Sequence, residues 1–406
     1  MNRNRVNKKR MGGARVLSRA AAGMLAAALC FQPMTALAGP AGDSSLTSSS
    51  SNAGPGGGSG SSNSGSTGSS GGSTSVSNGS VSAVTSGLGV YRVTENEGIG
   101  AIARGVDVSY WQQNVNWSQV ASDNVQFAML ATRFRGNVDP FFAMNAANAS
   151  QAGLRLGAYI YSYATSVEMA QQEADFVLNL IKDYPISFPV VFDAEDANTL
   201  GTLTQSQVSD VINAFCKRIQ DAGYYPMVYA NEYWIANKID MSKISYDIWV
   251  AKYQQKYTYS KTSMWQASNT GSVKGVNGNV DIDYLYKDYT QIIPGNTWRT
   301  IAGNRYYYQN HVMQKAAWIN DGQNWYYMNA AGNPSTGWLE LSGKKYYLEA
   351  DGHMITGWKT LDGGWRYFDA SGEQATGWRA VDGSWYFMAD NGLMQTGWLE
   401  TGGKKY

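Results

Sequence analysis

The stretch Phe188-Pro189-Val190-Val191-Phe192-Asp193-Ala194-Glu195 is an apolar run that ends in two carboxylates. Read as a strand, it puts Asp193 and Glu195 on one face, because side chains alternate with period two. Ionised carboxylates are costly to bury unless paired or hydrogen-bonded, so two acids finishing a buried strand need a reason. Two reasons fit the stretch alone. The acids cap a following loop or helix, or crowding raises the pKa of one while the other stays ionised, which sets up an acid beside a stabilising anion. The choice depends on what surrounds the pair.

Working outward, the composition is globular from about Ile99 to Ile293, a length that suits one domain. Strand-like runs recur at Gly105 to Tyr110, Phe127 to Phe134, Leu156 to Tyr163, Phe188 to Asp193, Tyr225 to Tyr229, Tyr246 to Ala251, Ser263 to Gln266 and Val280 to Tyr286. Helix-period segments fall between several of them: Val167 to Leu180, and Gln205 to Ala222 with Gly223 as its stop. Strands alternating with helices predict a parallel α/β sheet, and eight strands predict a closed barrel. The segment is shorter than a full (β/α)8 barrel, and the gap from Tyr253 to Ser263 is polar and short. The expected fold is therefore α/β, a distorted and incomplete barrel of about five β/α units plus three strands.

Reacting groups in such barrels sit at the carboxyl ends of the strands. Acids read off at those positions are Asp107 on the first strand, Asp193 and Glu195 after the fourth, and Asp281 on the eighth. First and eighth strands are neighbours on closure and the fourth faces them, so four carboxylates converge on one mouth. Trp111, Tyr161, Tyr163, Tyr229, Trp249 and Trp265 lie at the same ends, as flat surfaces for sugar rings or as core. Both histidines, His311 and His353, lie outside the segment, which disfavours a His-based zinc site or a Ser/Cys-His centre. Carboxylate chemistry without metal or cofactor is the expectation.

These residues carry a resemblance. Asp107-Val108-Ser109-Tyr110-Trp111-Gln112, Asp139-Pro140-Phe141, Ala152 to Tyr159, Asp193-Ala194-Glu195, Trp265-Gln266 and Val280-Asp281, in that order, resemble the glycoside hydrolase family 25 muramidases, or Chalaropsis-type lysozymes. The resemblance implies a distorted barrel that cleaves the β-1,4 bond between N-acetylmuramic acid and N-acetylglucosamine. It implies Glu195 as proton donor and Asp193, Asp107 and Asp281 as the other acids of the site. Two departures stand out. Tyr161-Ser162-Tyr163-Ala164 occupies the place of a Tyr-His pair, and Asp283 stands where an Asn is expected.

The flanks supply context. Residues 1–38 carry Arg3, Arg5, Lys8, Lys9, Arg10, Arg15 and Arg19, then an apolar run from Ala20 to Phe31 and Ala36-Leu37-Ala38, the order of a secretory signal peptide. Leu29 before Cys30 is a poor fit to a lipoprotein site. Removing the leader takes the formal charge from +1 to about −6, since seven basic and no acidic residues leave (1 − 7), and nucleic-acid binding is not expected. No later segment offers about 18 uninterrupted apolar residues, so no membrane span is expected after the leader. Cys216 lies in a helical apolar pattern and reads as a buried structural thiol. Residues 39–98 read as a linker rich in Gly and Ser, too poor in apolar side chains to offset its ordering entropy.

From Trp298 onward, tryptophans fall at 298, 318, 338, 358, 378 and 398, a period of 20, which marks residues 294–406 as a stacked repeat array. Aromatic clusters follow each Trp, with turn signals such as Asp362-Gly363 between them, so each unit reads as a short β-hairpin. Trp298 and Trp318 lack the Gly that precedes the others. The units resemble the choline-binding or cell-wall-binding repeats of Gram-positive surface proteins. That implies aromatic cages for a quaternary ammonium, with Trp338, Tyr346, Trp358, Tyr367, Trp378, Tyr386 and Trp398 as ligand residues. The combined expectation is a secreted, cell-wall-associated muramidase acting on peptidoglycan glycan strands and tethered through choline or teichoic acid. The alternative is a catalytically silent wall-binding protein or adhesin.

Overall fold

The computed structural model describes residues 82–406. The leader and residues 39–81 of the expected linker lie outside the described residues. The linker reading is corrected at its far end. Ala83–Ser86 (β1) and Gly89–Arg92 (β2) form an antiparallel hairpin, and Asn96–Gly98 makes a single 3-10 turn. This piece folds because it has something to bury: Tyr91 is 1% exposed, and the Arg92 backbone donates to and accepts from the Asn124 side chain. Glu95 pairs with Arg104 at 3.2 Å.

The barrel begins with Ala103–Val108 (β3), Trp117–Ser122 (α1) and Phe127–Ala131 (β4). A small hairpin of Arg133–Phe134 (β5) and Asn137–Val138 (β6) precedes Phe142–Gln151 (α2), Arg155–Tyr161 (β7) and Val167–Ile181 (α3). Then come Ile186–Asp193 (β8), Gln205–Asp221 (α4), Pro226–Asn231 (β9) and Glu232–Asn237 (α5). Asp247–Ala251 (β10), Thr262–Gly271 (β11) and Val280–Leu285 (β12) finish it without an intervening α-helix. The strands close in the order β10-β11-β12-β3-β4-β7-β8-β9.

Local chemistry sets the helix limits. Ser166 caps α3 by accepting from the Met169 amide, and Thr204 and Gln207 form a reciprocal capping box at α4. Gly223, at φ +89°, ends the α4 unit in the left-handed region that glycine enters without cost.

One strand departs from the expected parallel sheet. β12 runs antiparallel to both β11 and β3, because residues 272–279 are too few for a crossover helix. Asp281 therefore sits at the amino end of its strand, not the carboxyl end. It still reaches the mouth, since its register partner is Asp107.

Inward positions follow the period of two. Ala103, Phe127, Met129, Phe188, Met227, Trp249, Met264 and Leu285 form a buried cluster inside the barrel. Phe127 stacks on Phe188 with ring centroids 5.1 Å apart. Gly105 makes room for this pair: a Cβ there would lie 2.2 Å from the Phe127 ring. Truncating such a buried Phe to Ala costs about 3–5 kcal/mol. The outward faces, with Val106, Val108, Leu130, Ile160 and Phe192, pack under the helices.

The repeats form hairpins at the expected spacing, among them Ala317–Asn320 with Trp325–Met328, Gly337–Leu341 with Lys344–Leu348, Gly357–Leu361 with Gly364–Phe368, and Gly377–Val381 with Ser384–Met388. Their tips, Ser342-Gly343, Asp362-Gly363 and Asp382-Gly383, have positive φ at both residues, as a type I′ turn demands. The first unit, Thr297–Ile301 with Asn304–Gln309, is joined to the barrel rather than separated from it at residue 293. Arg299, 1% exposed, lies between the rings of Tyr224 and Tyr308 at 3.9 and 4.3 Å. The Tyr308 hydroxyl donates to the Lys182 carbonyl, and Lys315 pairs with Asp183 at 2.7 Å.

Candidate active site

The inward residues climb each strand toward one end, where the apolar filling stops and acids begin. A cavity of about 410 Å³ opens there, lined by Asp107, Asp193, Glu195, Asp281 and aromatic side chains. Asp107 is next to last on β3, Asp193 is the last residue of β8, and Glu195 follows on the same side two residues later. All four expected carboxylates thus meet in one cavity.

Their surroundings differ. Asp107 is 5% exposed, and its Oδ2 accepts from Gln266 Nε2 at 2.7 Å. Burial, then the charges of Asp281 and Asp283, holds its carboxyl well above the usual range. Asp193 is 6% exposed, and its Oδ1 is buried without a hydrogen-bond partner. Burial first, and Glu195 second, pushes it upward. Glu195 is half-buried and raised by burial, then by Asp281 and Asp196. Asp281 is pushed up to about 6, chiefly by burial. A group of carboxyls that cannot all ionise together shares protons, which is a condition for acid catalysis.

A fifth acid lies beneath. Asp283 is fully buried, with Oδ1 accepting from Trp249 Nε1 at 3.0 Å and Oδ2 unpartnered. Burial, then Asp281, raises its pKa well above the ordinary value. Asp196 behaves oppositely. Although burial pushes it upward, hydrogen bonds from Thr199, Tyr161 and Asn198 hold it below the usual range, so it stays ionised.

Of the expected aromatic surfaces, Trp111, Tyr161, Tyr163, Tyr229 and Trp249 line the cavity. Trp111 stands at the rim, 67% exposed, edge-on to Phe134 at 5.6 Å. Trp265 does not join them. It is 1% exposed, points to the outer face of β11, donates to the Lys252 carbonyl at 2.8 Å and packs against Tyr257 and Tyr284. The period of two gives its neighbour Gln266 the inward position.

Sequence reasoning quoted Gln266 without giving it a role. Its amide donates to Asp107, and its Oε1 accepts from Tyr229 at 2.8 Å and Tyr253 at 2.7 Å, tying three strands and a loop to one carboxylate. Alternation from Trp265 on β11 was the available signal. Arg133, Arg135 and Tyr159 also line the cavity; the arginines had no signal, since they belong to the β5–β6 hairpin, whereas Tyr159 follows from Tyr161 by alternation on β7. Arg133 lies over the Tyr163 ring at 4.7 Å and pairs with buried Glu173 at 2.7 Å.

In the repeats, Trp298, Trp318, Trp358 and Trp378 each meet aromatics from their own and the next hairpin. Trp358 lies 5.1 Å from Tyr367 and 4.7 Å from Tyr386, and Trp318 lies 5.4 Å from Tyr327 and 5.0 Å from Tyr346. Trp378 has Phe387 and Tyr406 at 5.3 and 5.0 Å. Trp338 differs, with the Arg366 guanidinium over its ring at 4.9 Å. Trp398, 87% exposed, does not share the pattern.

An acid-lined α/β barrel followed by aromatic hairpins defines a carbohydrate-active enzyme with an appended binding array. The chain belongs to the glycosyl hydrolases family 25, whose family model matches residues 106–276. A choline-binding repeat matches residues 335–376, and a cell wall binding repeat matches 317–333 and 376–394. Uncharacterized protein YegX of Escherichia coli K12 is 31% identical over 189 residues, covering 44% of this chain and 68% of that protein. Lysozyme M1 of Streptomyces globisporus is 30% identical over 195 residues, covering 44% of this chain and 66% of that protein. The solved pneumococcal cell wall endolysin from phage Cp-1 is 22% identical, with a TM-score of 0.37, covering 75% of this chain and 91% of that one.

Proposed function

We propose that the barrel hydrolyses the β-1,4 bond between N-acetylmuramic acid and N-acetylglucosamine in peptidoglycan, while the repeats hold the enzyme at the cell wall. The observation that carries this reading is the convergence of Asp107, Asp193, Glu195 and Asp281 in one aromatic-walled cavity of a family 25 chain. Glu195 is the proton donor. Burial and the charges of Asp281 and Asp196 shift its carboxyl toward the protonated form, and its partly exposed position lets it reach a leaving-group oxygen and reload from water. Asp193, itself raised by burial and by Glu195, carries the negative charge that steadies the oxocarbenium-like state when the proton the pair shares sits on Glu195. Its unpartnered Oδ1 is also an acceptor position that a substrate acetamido N–H fills. Asp107, fixed by Gln266, and Asp281 position water and substrate, and the charge of Asp281 helps hold the proton on Glu195.

The aromatic walls serve the sugars, with Trp111 at the rim and Tyr161, Tyr163, Tyr229 and Trp249 deeper. The repeats take up choline or a related quaternary ammonium of the wall, a reading supported by the choline-binding repeat match. The basic, apolar leader makes the protein secreted, and the repeats make it wall-associated. Mass spectrometry of a peptidoglycan digest tests the activity. Soluble muropeptides with new reducing ends at muramic acid are expected, and new amino groups alone would refute it.

A further inference from the structure

The repeat array follows a register that assigns each aromatic a place. Counting from the leading Trp, the ring nine residues on comes from the same hairpin and the ring 28 residues on from the next. The positions at +9 hold Tyr307, Tyr327, Tyr347, Tyr367 and Phe387, an unbroken aromatic series. Those at +28 hold Tyr326, Tyr346, Arg366, Tyr386 and Tyr406, so one wall is replaced by a guanidinium. The positions at +7 set apart the Trp298 unit as well as the Trp338 unit, with Arg305 and Lys345 against Trp325, Trp365 and Trp385.

Geometry follows this alternation. Arg366 is 7% exposed and lies over the Trp338 ring at 4.9 Å. It is held there by Asp362, at 3.2 Å from Nη2, and by the Asn391 carbonyl. Asp362 also accepts from Trp338 Nε1 at 3.3 Å, which fixes ring and cation together. The roughly 300 Å³ cavity beside Trp338 is lined by Lys345, Arg366, Asp362 and Gln374 rather than by further rings. At the first unit, Arg305 lies over Trp298 at 4.1 Å. The units of Trp318, Trp358 and Trp378 instead carry tryptophans at +7. These are Trp325, Trp365 and Trp385, exposed by 47%, 50% and 68%, and Trp365 stands 6.3 Å from Trp358.

We propose that the array contains two kinds of unit: cages open to a quaternary ammonium at Trp318, Trp358 and Trp378, and cages closed by the chain's own guanidinium at Trp298 and Trp338. A cation over an aromatic face satisfies the ring's quadrupole, and a second cation is repelled by it. Arg305 and Arg366 are thus internal ligands that set how many choline groups one chain takes and where. This rests on the reading of the repeats as choline-binding, and the test separates the two.

Equilibrium dialysis of the full chain against choline chloride counts the sites, with near-UV circular dichroism confirming the fold of each variant. About three cholines per chain are expected. Trp358→Ala should lose about one and Trp338→Ala none. The double variant Arg366→Tyr with Lys345→Trp, which restores the missing walls, should gain about one. Loss of a site in Trp338→Ala, or a folded double variant that gains none, overturns the closed-cage assignment while leaving choline binding intact. A wild-type chain that takes up neither choline nor tetramethylammonium refutes the choline reading, and the assignment with it.

Discussion

Replacing Asp283 by Asn removes one charge from the most crowded part of the barrel without changing its shape. Asp283 is fully buried, Trp249 Nε1 satisfies Oδ1, and Oδ2 has no partner. A buried polar atom left unpaired costs about 1–3 kcal/mol. Asn keeps the acceptor for Trp249 and turns the orphan atom into a donor directed at the neighbouring Asp107 carboxylate. The sign follows from the raised pKa of Asp283. Well below the ordinary Asp pKa of about 3.9 the acid is neutral in folded and unfolded chains alike, so the substitution removes no charge penalty there. As pH rises, the unfolded chain releases its proton while the folded one resists, and the wild type loses stability that the variant keeps. Asp283→Asn should therefore be more stable by about 1–3 kcal/mol near pH 7, with the gain shrinking toward pH 4. At about 2–4 °C per kcal/mol for a domain of this size, the thermal midpoint moves measurably upward. Thermal unfolding at several pH values checks this. A variant less stable than wild type at pH 7 would show that the charge on Asp283 is needed in the folded state.

Four further outcomes follow from the site and the array. Glu195→Gln should lower hydrolysis by about 10²–10⁴-fold while leaving wall binding intact; residual wild-type turnover would assign the acid elsewhere. Asp281→Asn removes the charge that ranks second in raising Glu195, so the alkaline limb of kcat against pH should move to lower pH; an unmoved limb refutes the coupling. Trp111→Ala should raise KM without loss of stability and Trp265→Ala should do the reverse, since one ring is at the rim and the other is core. Cutting the chain after residue 293 should lower the thermal midpoint of the barrel, because it removes the buried Arg299 clamp, worth about 2 kcal/mol or more as a desolvated cation–π contact. Cutting after Lys315 should instead weaken wall retention alone, and equal stability of the two truncations would refute the clamp.

Much of the barrel is legible in the sequence because its strands are buried on both faces and read as continuous apolar runs. Asp193 and Glu195 are visible as acids that break such a run, and Asp107 is found by the same logic. Asp283 shows why charge alone misleads: it lies two residues beyond Asp281 on β12, and only its depth beneath Asp107 distinguishes it from a mouth acid. The β1–β2 hairpin is hidden for a different reason. Its few apolar residues are too sparse to fold alone, and Tyr91 becomes core only against a barrel built from distant sequence.

The direction of β12 ties these observations together. On an all-parallel barrel, an acid at the start of the last strand would lie at the floor, opposite the mouth that holds Asp107, Asp193 and Glu195. With the strand reversed, Asp281 comes level with Asp107 and Asp283 drops beneath it, level with Gly105. Two acids spaced one apart on the same inward face thus acquire different surroundings. Asp281, nearer solvent, is raised only to about 6, whereas Asp283 is sealed under Trp249. The short connection that forbids a crossover helix is therefore also what completes the ring of carboxylates. Lengthening residues 272–279 with flexible Gly-Ser should be tolerated, because loop closure costs grow slowly with length. Moving Asp281 by one residue along the strand should not, because it would turn the carboxylate out of the cavity.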